Sequence, residues 1–176
     1  MKWNITGDVP RDISKFLIIV APHTSNWDFI IGLFVRRIRN FQSSFLAKST
    51  LFKGIGGNIF RKLGGFPVYR NSKHNMVDQV VKLIGENDRF VLAITPEGTR
   101  GNVTKWKTGF YYIAKKTNVP LVLTTIDYRK RTVHFFKPYY ITGNTVLDAE
   151  YINNCFIGVN GLNRIAAPFV LNEKTE

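Results

Sequence analysis

Phe16-Leu17-Ile18-Ile19-Val20-Ala21 is followed at once by Pro22 and then by His23-Thr24-Ser25-Asn26-Trp27-Asp28. The first six residues form a short, unbroken apolar run rich in branched side chains, the pattern of a strand buried on both faces. Pro22 stops it. Beyond the stop, Trp27, Ile30, Ile31, Phe34, Val35 and Ile38 recur at helical spacing, with Arg36, Arg37 and Arg39 on other faces. Ser25 or Asn26 suits the N-cap of that helix. A buried strand turning directly into an amphipathic helix is the opening of an α/β unit.

The alternation continues outward. Ser43 to Lys48 reads as a strand, and Leu51, Phe52, Ile55, Ile59, Phe60 and Leu63 as one amphipathic helix loosened by Gly54, Gly56 and Gly57. Phe66 to Tyr69 is a brief strand. Met76, Val77, Val80, Val81 and Ile84 mark a helix, and Phe90 to Thr95 a strand. Gly109 to Thr117 reads as helix and Leu121 to Ile126 as strand. Thr132 to Phe136 and Tyr139 to Thr142 suggest a closing hairpin or edge pair, and Leu147 to Ile157 a short helix. Strands alternating with helices predict a mixed, mostly parallel sheet with helices on both faces. The alternation leaves strand order open.

The chain has 176 residues, 44% hydrophobic and 21% charged, which suits one globular domain over residues 1–176. Its one cysteine, Cys155, excludes an internal disulfide and fits a reducing compartment. Met1 to Pro10 lacks the pattern of a secretory signal. The apolar run Phe16 to Ala21 is far short of the roughly 20 residues that a spanning helix needs, so the expectation is a chain that does not itself cross a membrane. Charge is the loudest bulk signal: 25 Lys and Arg against 12 Asp and Glu give +13. No acidic residue falls between Phe29 and Val77, while Arg36, Arg37, Arg39, Lys48, Lys53, Arg61, Lys62, Arg70 and Lys73 do. A second acid-free stretch, Gly98 to Ile126, holds Arg100, Lys105, Lys107, Lys115 and Lys116. Such a field attracts anions, whether nucleic acid, phospholipid surfaces, phosphorylated substrates or acidic carrier proteins.

Two turns after buried strands carry candidate chemistry. In the first, His23 and Asp28 stand close enough in sequence for a tight turn to pair imidazole with carboxylate. Such a carboxylate fixes the tautomer and leaves the second ring nitrogen free as a general base. The bland alternative is a loop histidine and an acid in a first helical turn. In the second, Thr95-Pro96-Glu97-Gly98-Thr99-Arg100, the arginine offers a planar fork of donors for phosphate. The alternative there is a plain Pro-Gly turn. Gly64-Gly65-Phe66-Pro67-Val68-Tyr69-Arg70 and Val119-Pro120-Leu121-Val122-Leu123 are weak as isolated segments.

In this order and spacing the four segments resemble the glycerolipid acyltransferase family typified by lysophosphatidate acyltransferase. That family carries H-x-x-x-x-D, a Gly-containing stretch ending in Arg, a Pro-Glu-Gly-Thr/Ser block and a Val-Pro pair. The resemblance spans about Ile18 to Leu123 and extends weakly to Thr142-Gly143-Asn144. Phe45-Leu46-Ala47-Lys48 is similar to the family's Lys-bearing strand, and Lys107 with Gly109 to its Lys-x-Gly helix start. The resemblance implies a glycerol-3-phosphate acyltransferase-like fold. It implies His23 as general base and Asp28 as its orienting partner. Arg70 and Arg100 would hold the acceptor's phosphate, with Glu97, Gly98 and Thr99 shaping that pocket and Lys48 and Lys107 beside it. Tyr69, Thr95 and Thr124 depart from the usual residues at their positions and leave the acceptor open.

The activity so implied is transfer of a fatty acyl group from acyl-CoA or acyl carrier protein to the hydroxyl of a lysophospholipid such as 1-acylglycerol-3-phosphate. The co-substrate thioester is already activated, so no bound cofactor and no metal are expected. An anionic membrane surface would be the partner, with a cytoplasmic chain held peripherally on the inner membrane face and Leu51, Phe52, Lys53, Ile55, Arg61 and Lys62 as a candidate interfacial face. A half-buried core helix has the same pattern. The alternatives are the same mechanism on another lysolipid, such as lyso-ornithine lipid, or a basic nucleic-acid-binding module using Tyr111, Tyr112, Tyr139 and Tyr140. The second gives no reason for pairing His23 with Asp28. Cys155, His74 and His134 read as packed or surface residues, and their spacing suits no metal. No Gly-x-Ser-x-Gly elbow supports a serine nucleophile.

Overall fold

The computed structural model describes residues 2–53, 55–68 and 76–171. In chain order these form β1 (Asn4–Thr6), β2 (Lys15–Ala21), α1 (Trp27–Ile38), β3 (Ser44–Lys48), a 3₁₀ turn (Ser49–Phe52), α2 (Ile55–Lys62), β4 (Gly65–Val68), α3 (Met76–Glu86), β5 (Phe90–Ile94), α4 (Gly109–Thr117), β6 (Leu121–Asp127), β7 (Thr132–Phe135) and α5 (Thr145–Phe156). The seven described strands lie in one sheet in the order β1-β7-β6-β2-β5-β3-β4. All neighbours run parallel except β6 and β7.

β2 occupies the centre because both of its faces are apolar. Leu17, Ile19 and Ala21 point into a core formed with α3, α4, α5 and Phe169. Phe16 and Ile18 point the other way, toward Val35 of α1, Val9, Val122, Val133 and Phe135. Period-2 alternation on a strand covered on both sides demands apolar residues at every position, which is what makes the run unbroken. The expected mostly parallel sheet with helices on both faces is therefore the fold observed.

Two expectations need correction, and one strand was missed. Residues 51–63 do not form one helix: Ser49–Phe52 is a 3₁₀ turn, and α2 starts anew at Ile55. A Cβ on Gly57 would collide with the Phe52 carbonyl, so backbone packs on backbone there. Tyr139–Thr142 does not pair with β7. Instead β7 pairs antiparallel with β6, and Tyr139 exchanges two backbone hydrogen bonds of 2.8 Å with Leu121 at the start of β6. β1 was not anticipated, since three residues are too few to show a period. It forms because β7 offers it a parallel edge, from Asn4 beside Thr132 to Thr6 beside His134.

Asp148 in α5 ties the far side of the core together. It is fully buried and accepts from Tyr111 Oη (2.9 Å), Tyr139 Oη (2.6 Å), Thr142 N (3.0 Å) and Thr142 Oγ1 (2.8 Å). Burial alone would raise its pKa, yet these donors hold the carboxyl below its ordinary value. Replacing Asp148 by Ala takes the acceptor away from three hydroxyls and an amide. Unfolding in urea should show a loss of roughly 3 kcal/mol or more, with Asp148→Asn milder.

Candidate active site at the carboxyl edge of the sheet

Parallel strands end on the same side, so the segments after β2, β3, β5 and β6 all leave from one edge of the sheet. That edge receives His23 after β2, Lys48 at the end of β3, Glu97 to Arg100 after β5 and Tyr128 after β6. Ligands in open α/β folds bind outside these carboxyl ends.

The His23 turn closes on Asp28. His23 Nδ1 lies 3.0 Å from Asp28 Oδ2, and the same oxygen accepts from Thr24 N (2.8 Å) and Ser25 N (2.9 Å). Asp28 Oδ1 accepts from Tyr128 Oη at 2.6 Å. Asp28 is only 3% exposed. Burial pushes its pKa up, but the bonds from His23, Tyr128, Ser25 and Thr24 outweigh burial and hold it below the ordinary value. A carboxylate only accepts, so Nδ1 carries the proton and Nε2 keeps its lone pair. The His23 side chain remains 19% exposed, which leaves that lone pair reachable. An imidazole in this tautomer has the geometry that a general base needs.

The backbone of His23 is held as firmly as its ring. His23 N donates to Glu97 Oε2 at 2.8 Å. Glu97, 1% exposed, also pairs with Arg164, Nη1 to Oε1 at 3.0 Å and Nη2 to Oε2 at 2.7 Å. Its oxygens therefore face the protein rather than a ligand, and it shapes the loop from within. Gly98 has φ +68, and a Cβ there would lie 2.9 Å from Lys107 Cε, so the Lys107 arm packs directly over the glycine. The loop is anchored again where Lys107 N donates to Pro96 O at 2.8 Å. Thr99 Oγ1 accepts from Gly101 N at 3.3 Å. Arg100, Lys107 and Lys48 are exposed, the first two on or beside the Glu97 loop and Lys48 one strand beyond β5. Next to Lys48 a cleft of about 310 Å³ is lined by Ser49, Thr50, Phe52, Lys53, Arg61 and Pro67. Arg70, together with Tyr69 and His74, lies outside the described residues.

Two residues of the constellation went unnoticed in the sequence. Tyr128 follows a buried strand directly, as His23 nearly does, and strand-end position was the available signal. Arg164 gave none, because a single arginine in a Gly- and Asn-containing loop has no period. That loop is nonetheless built onto the site. Asn163 Nδ2 donates to Thr24 O at 2.8 Å, and Tyr128 N donates to Asn160 O at 2.8 Å. A Cβ on Gly161 would stand 2.7 Å from the Thr24 side chain, so only glycine permits this approach. Among the described residues no group of three or more His, Cys, Asp or Glu is placed to hold a metal ion.

An α/β sheet whose carboxyl edge presents a histidine oriented by a buried aspartate is an arrangement that can carry general-base chemistry. The chain belongs to the Acyltransferase family, whose profile matches residues 3–126. Its fold is similar to the crystal structure of the 1-acyl-sn-glycerophosphate (LPA) acyltransferase PlsC from Thermotoga maritima. The TM-score is 0.62 over 87% of this chain and 69% of that one, at 20% sequence identity. No protein of curated function matches the sequence.

Removing the Tyr128 hydroxyl tests how the carboxylate is held. Tyr128→Phe deletes a hydrogen bond to a charged acceptor, worth about 1.5–3 kcal/mol. The sign follows from the depressed Asp28 pKa: the stability it brings is present above the unfolded carboxyl value of about 3.9 and disappears as pH falls through the lower folded value. The stability gap between wild type and variant should thus be full near neutrality and narrow below about pH 4. Urea unfolding across that range measures it; a gap independent of pH would contradict the assignment.

Proposed function

We propose that the chain transfers a fatty acyl group from a thioester donor, acyl-CoA or acyl carrier protein, to the hydroxyl of a lysophospholipid such as 1-acylglycerol-3-phosphate. It works as a single domain, peripherally bound at the cytoplasmic face of the inner membrane. The observation that carries this reading is the 3.0 Å pairing of His23 Nδ1 with buried Asp28, which leaves Nε2 as a base at the sheet edge. Family membership supports the acyl-transfer class, and the similarity to PlsC supports a fold suited to it.

The chemistry then runs in one line. The acceptor hydroxyl gives its proton to Nε2 as its oxygen attacks the thioester carbonyl. Asp28 stabilises the imidazolium that results. The tetrahedral intermediate collapses, the carbon–sulfur bond breaks, and the imidazolium returns the proton to the departing thiolate. An ester and a free thiol are the products. Arg100, exposed at the tip of a loop anchored by Glu97, supplies a fork for the acceptor's phosphate. A base-stacking surface is less well supported by the aromatic residues: of Tyr111, Tyr112, Tyr139 and Tyr140 only Tyr140 is exposed, and Tyr111 and Tyr139 bond to Asp148.

The test is a mass-spectrometric screen in which the purified chain meets one acyl-CoA, one acyl carrier thioester and a panel of lysolipids including lysophosphatidate and lyso-ornithine lipid. An acylated lysolipid is expected; free fatty acid as the sole product would mark a hydrolase instead. His23→Ala should lower the rate by roughly 10²- to 10⁴-fold while leaving the fold intact. Arg100→Ala should raise the Michaelis constant for a phosphate-bearing acceptor and leave that for the donor nearly unchanged. Equal loss with an uncharged acceptor would remove phosphate recognition from the scheme.

A further inference from the structure

Helix α1 turns an apolar stripe to solvent. Trp27 is 62% exposed, Phe34 65% and Ile38 67%, with Ile30 at 38% beside them. Positions 27, 34 and 38 share one line along a helix, and the stripe runs about 16 Å at 1.5 Å per residue. The residues α1 buries are Asp28 and Val35, one position on from Trp27 and Phe34. Successive residues are about 100° apart. Once the site pulls Asp28 inward, therefore, Trp27 and Phe34 must swing out. The stripe begins one residue before the catalytic aspartate, so it borders the opening of the site. A contiguous exposed apolar surface of this kind marks a contact.

Charge identifies what makes that contact. From Phe29 to Val77 there is no acid and there are nine Lys and Arg. Arg36 and Arg39 are turned onto backbone carbonyls of Ser43, Leu63 and Ile5, while Arg37, Lys48, Lys53, Arg61 and Lys62 are exposed. Arg37 shares α1 with the stripe, so a second copy docking stripe to stripe would bring like charges together. Residues 69–75 and 172–176, which lie outside the described structure, read YRNSKHN and NEKTE and offer no apolar face to cover it. An anionic lipid surface matches both features, taking tryptophan and aliphatic side chains at its boundary and cations at its headgroups.

We infer that the Trp27–Ile30–Phe34–Ile38 face of α1 inserts into the interface of an anionic bilayer leaflet and holds the His23 opening against the plane of the headgroups. The inference rests on the lysolipid reading above for its purpose, and it adds a contact on α1 to the expected 51–62 face, of which Leu51 is 46% exposed. Phe52, expected to share that interfacial face, is 6% exposed and belongs to the core.

The experiment is co-sedimentation with vesicles, without any thioester present. Phosphatidylcholine vesicles are compared with vesicles containing about one third phosphatidylglycerol, across a salt series. Wild type should partition onto the anionic vesicles. Phe34→Ser with Ile38→Ser should lower the partition about tenfold or more at equal salt, because two large apolar side chains no longer leave water. Both positions face solvent, so the thermal midpoint should not move. A variant that partitions like wild type would overturn the inference, leaving charge alone as the attraction. So would a wild-type dimer in light scattering that the variant abolishes, since the stripe would then belong to a second copy. The two readings fail separately: stripe-dependent vesicle binding with no acylated product sinks the reaction and keeps the surface. Product on a soluble acceptor with no vesicle binding does the reverse.

Discussion

Glu97 joins three stretches of chain at one buried carboxylate. Its carboxylate takes the His23 amide, the Arg164 guanidinium and, more weakly at 3.5 Å, the Ala167 amide, all with almost no contact with water. A carboxylate stripped of water is tolerated only when its oxygens are filled by strong donors, and removing one partner of such a pair costs about 3–5 kcal/mol. The three segments therefore stand or fall together. The turn after β2, the turn after β5 and the loop before the final segment are locked at one point, and the histidine ring is presented from that point.

The two acids of the site divide the work. Glu97 fixes where the His23 backbone is, and Asp28 fixes what its ring does. Asp28 sits in the first turn of α1, where an acid is ordinarily just a favourable partner for the helix dipole. Here its oxygens are used backward, on the amides of Thr24 and Ser25, on Nδ1 and on the Tyr128 hydroxyl. The same tie that orients the His23 ring also sets the rotation of α1 about its axis. The ring's orientation and the outward apolar stripe are thus two consequences of one buried carboxylate.

The basic character of the chain is concentrated by the same architecture. Arg100, Lys107 and Lys48 stand exposed at the carboxyl edge of the sheet, and the Gly98 position lets the Lys107 arm cross the loop without a side chain in its way. Positive charge at that edge stands on the same side of the sheet as the His23 ring.

Much of this was legible beforehand because it is local. The run Phe16 to Ala21 has the pattern of a doubly buried strand, helical spacing follows the turn after it, and Asp28 comes five positions after His23. A pairing that close depends on one turn alone. Likewise the Pro-Glu-Gly-Thr-Arg block follows its strand so closely that any parallel arrangement delivers it to the same edge. Tyr128 and Arg164 were different: they reach Asp28 and Glu97 across 100 and 67 residues. Such contacts depend on β6 lying beside β2, and local periodicity carries no strand order. The helical spacing of α1 marked an apolar stripe but not which way that stripe faces. Sequence by itself determined most of the elements and the His23–Asp28 pairing, since both follow from neighbours along the chain. Tertiary structure alone decided which face of α1 is covered and which distant side chains hold the pair, because burying Asp28 fixes the helix's rotation and only the folded sheet brings those side chains to its edge.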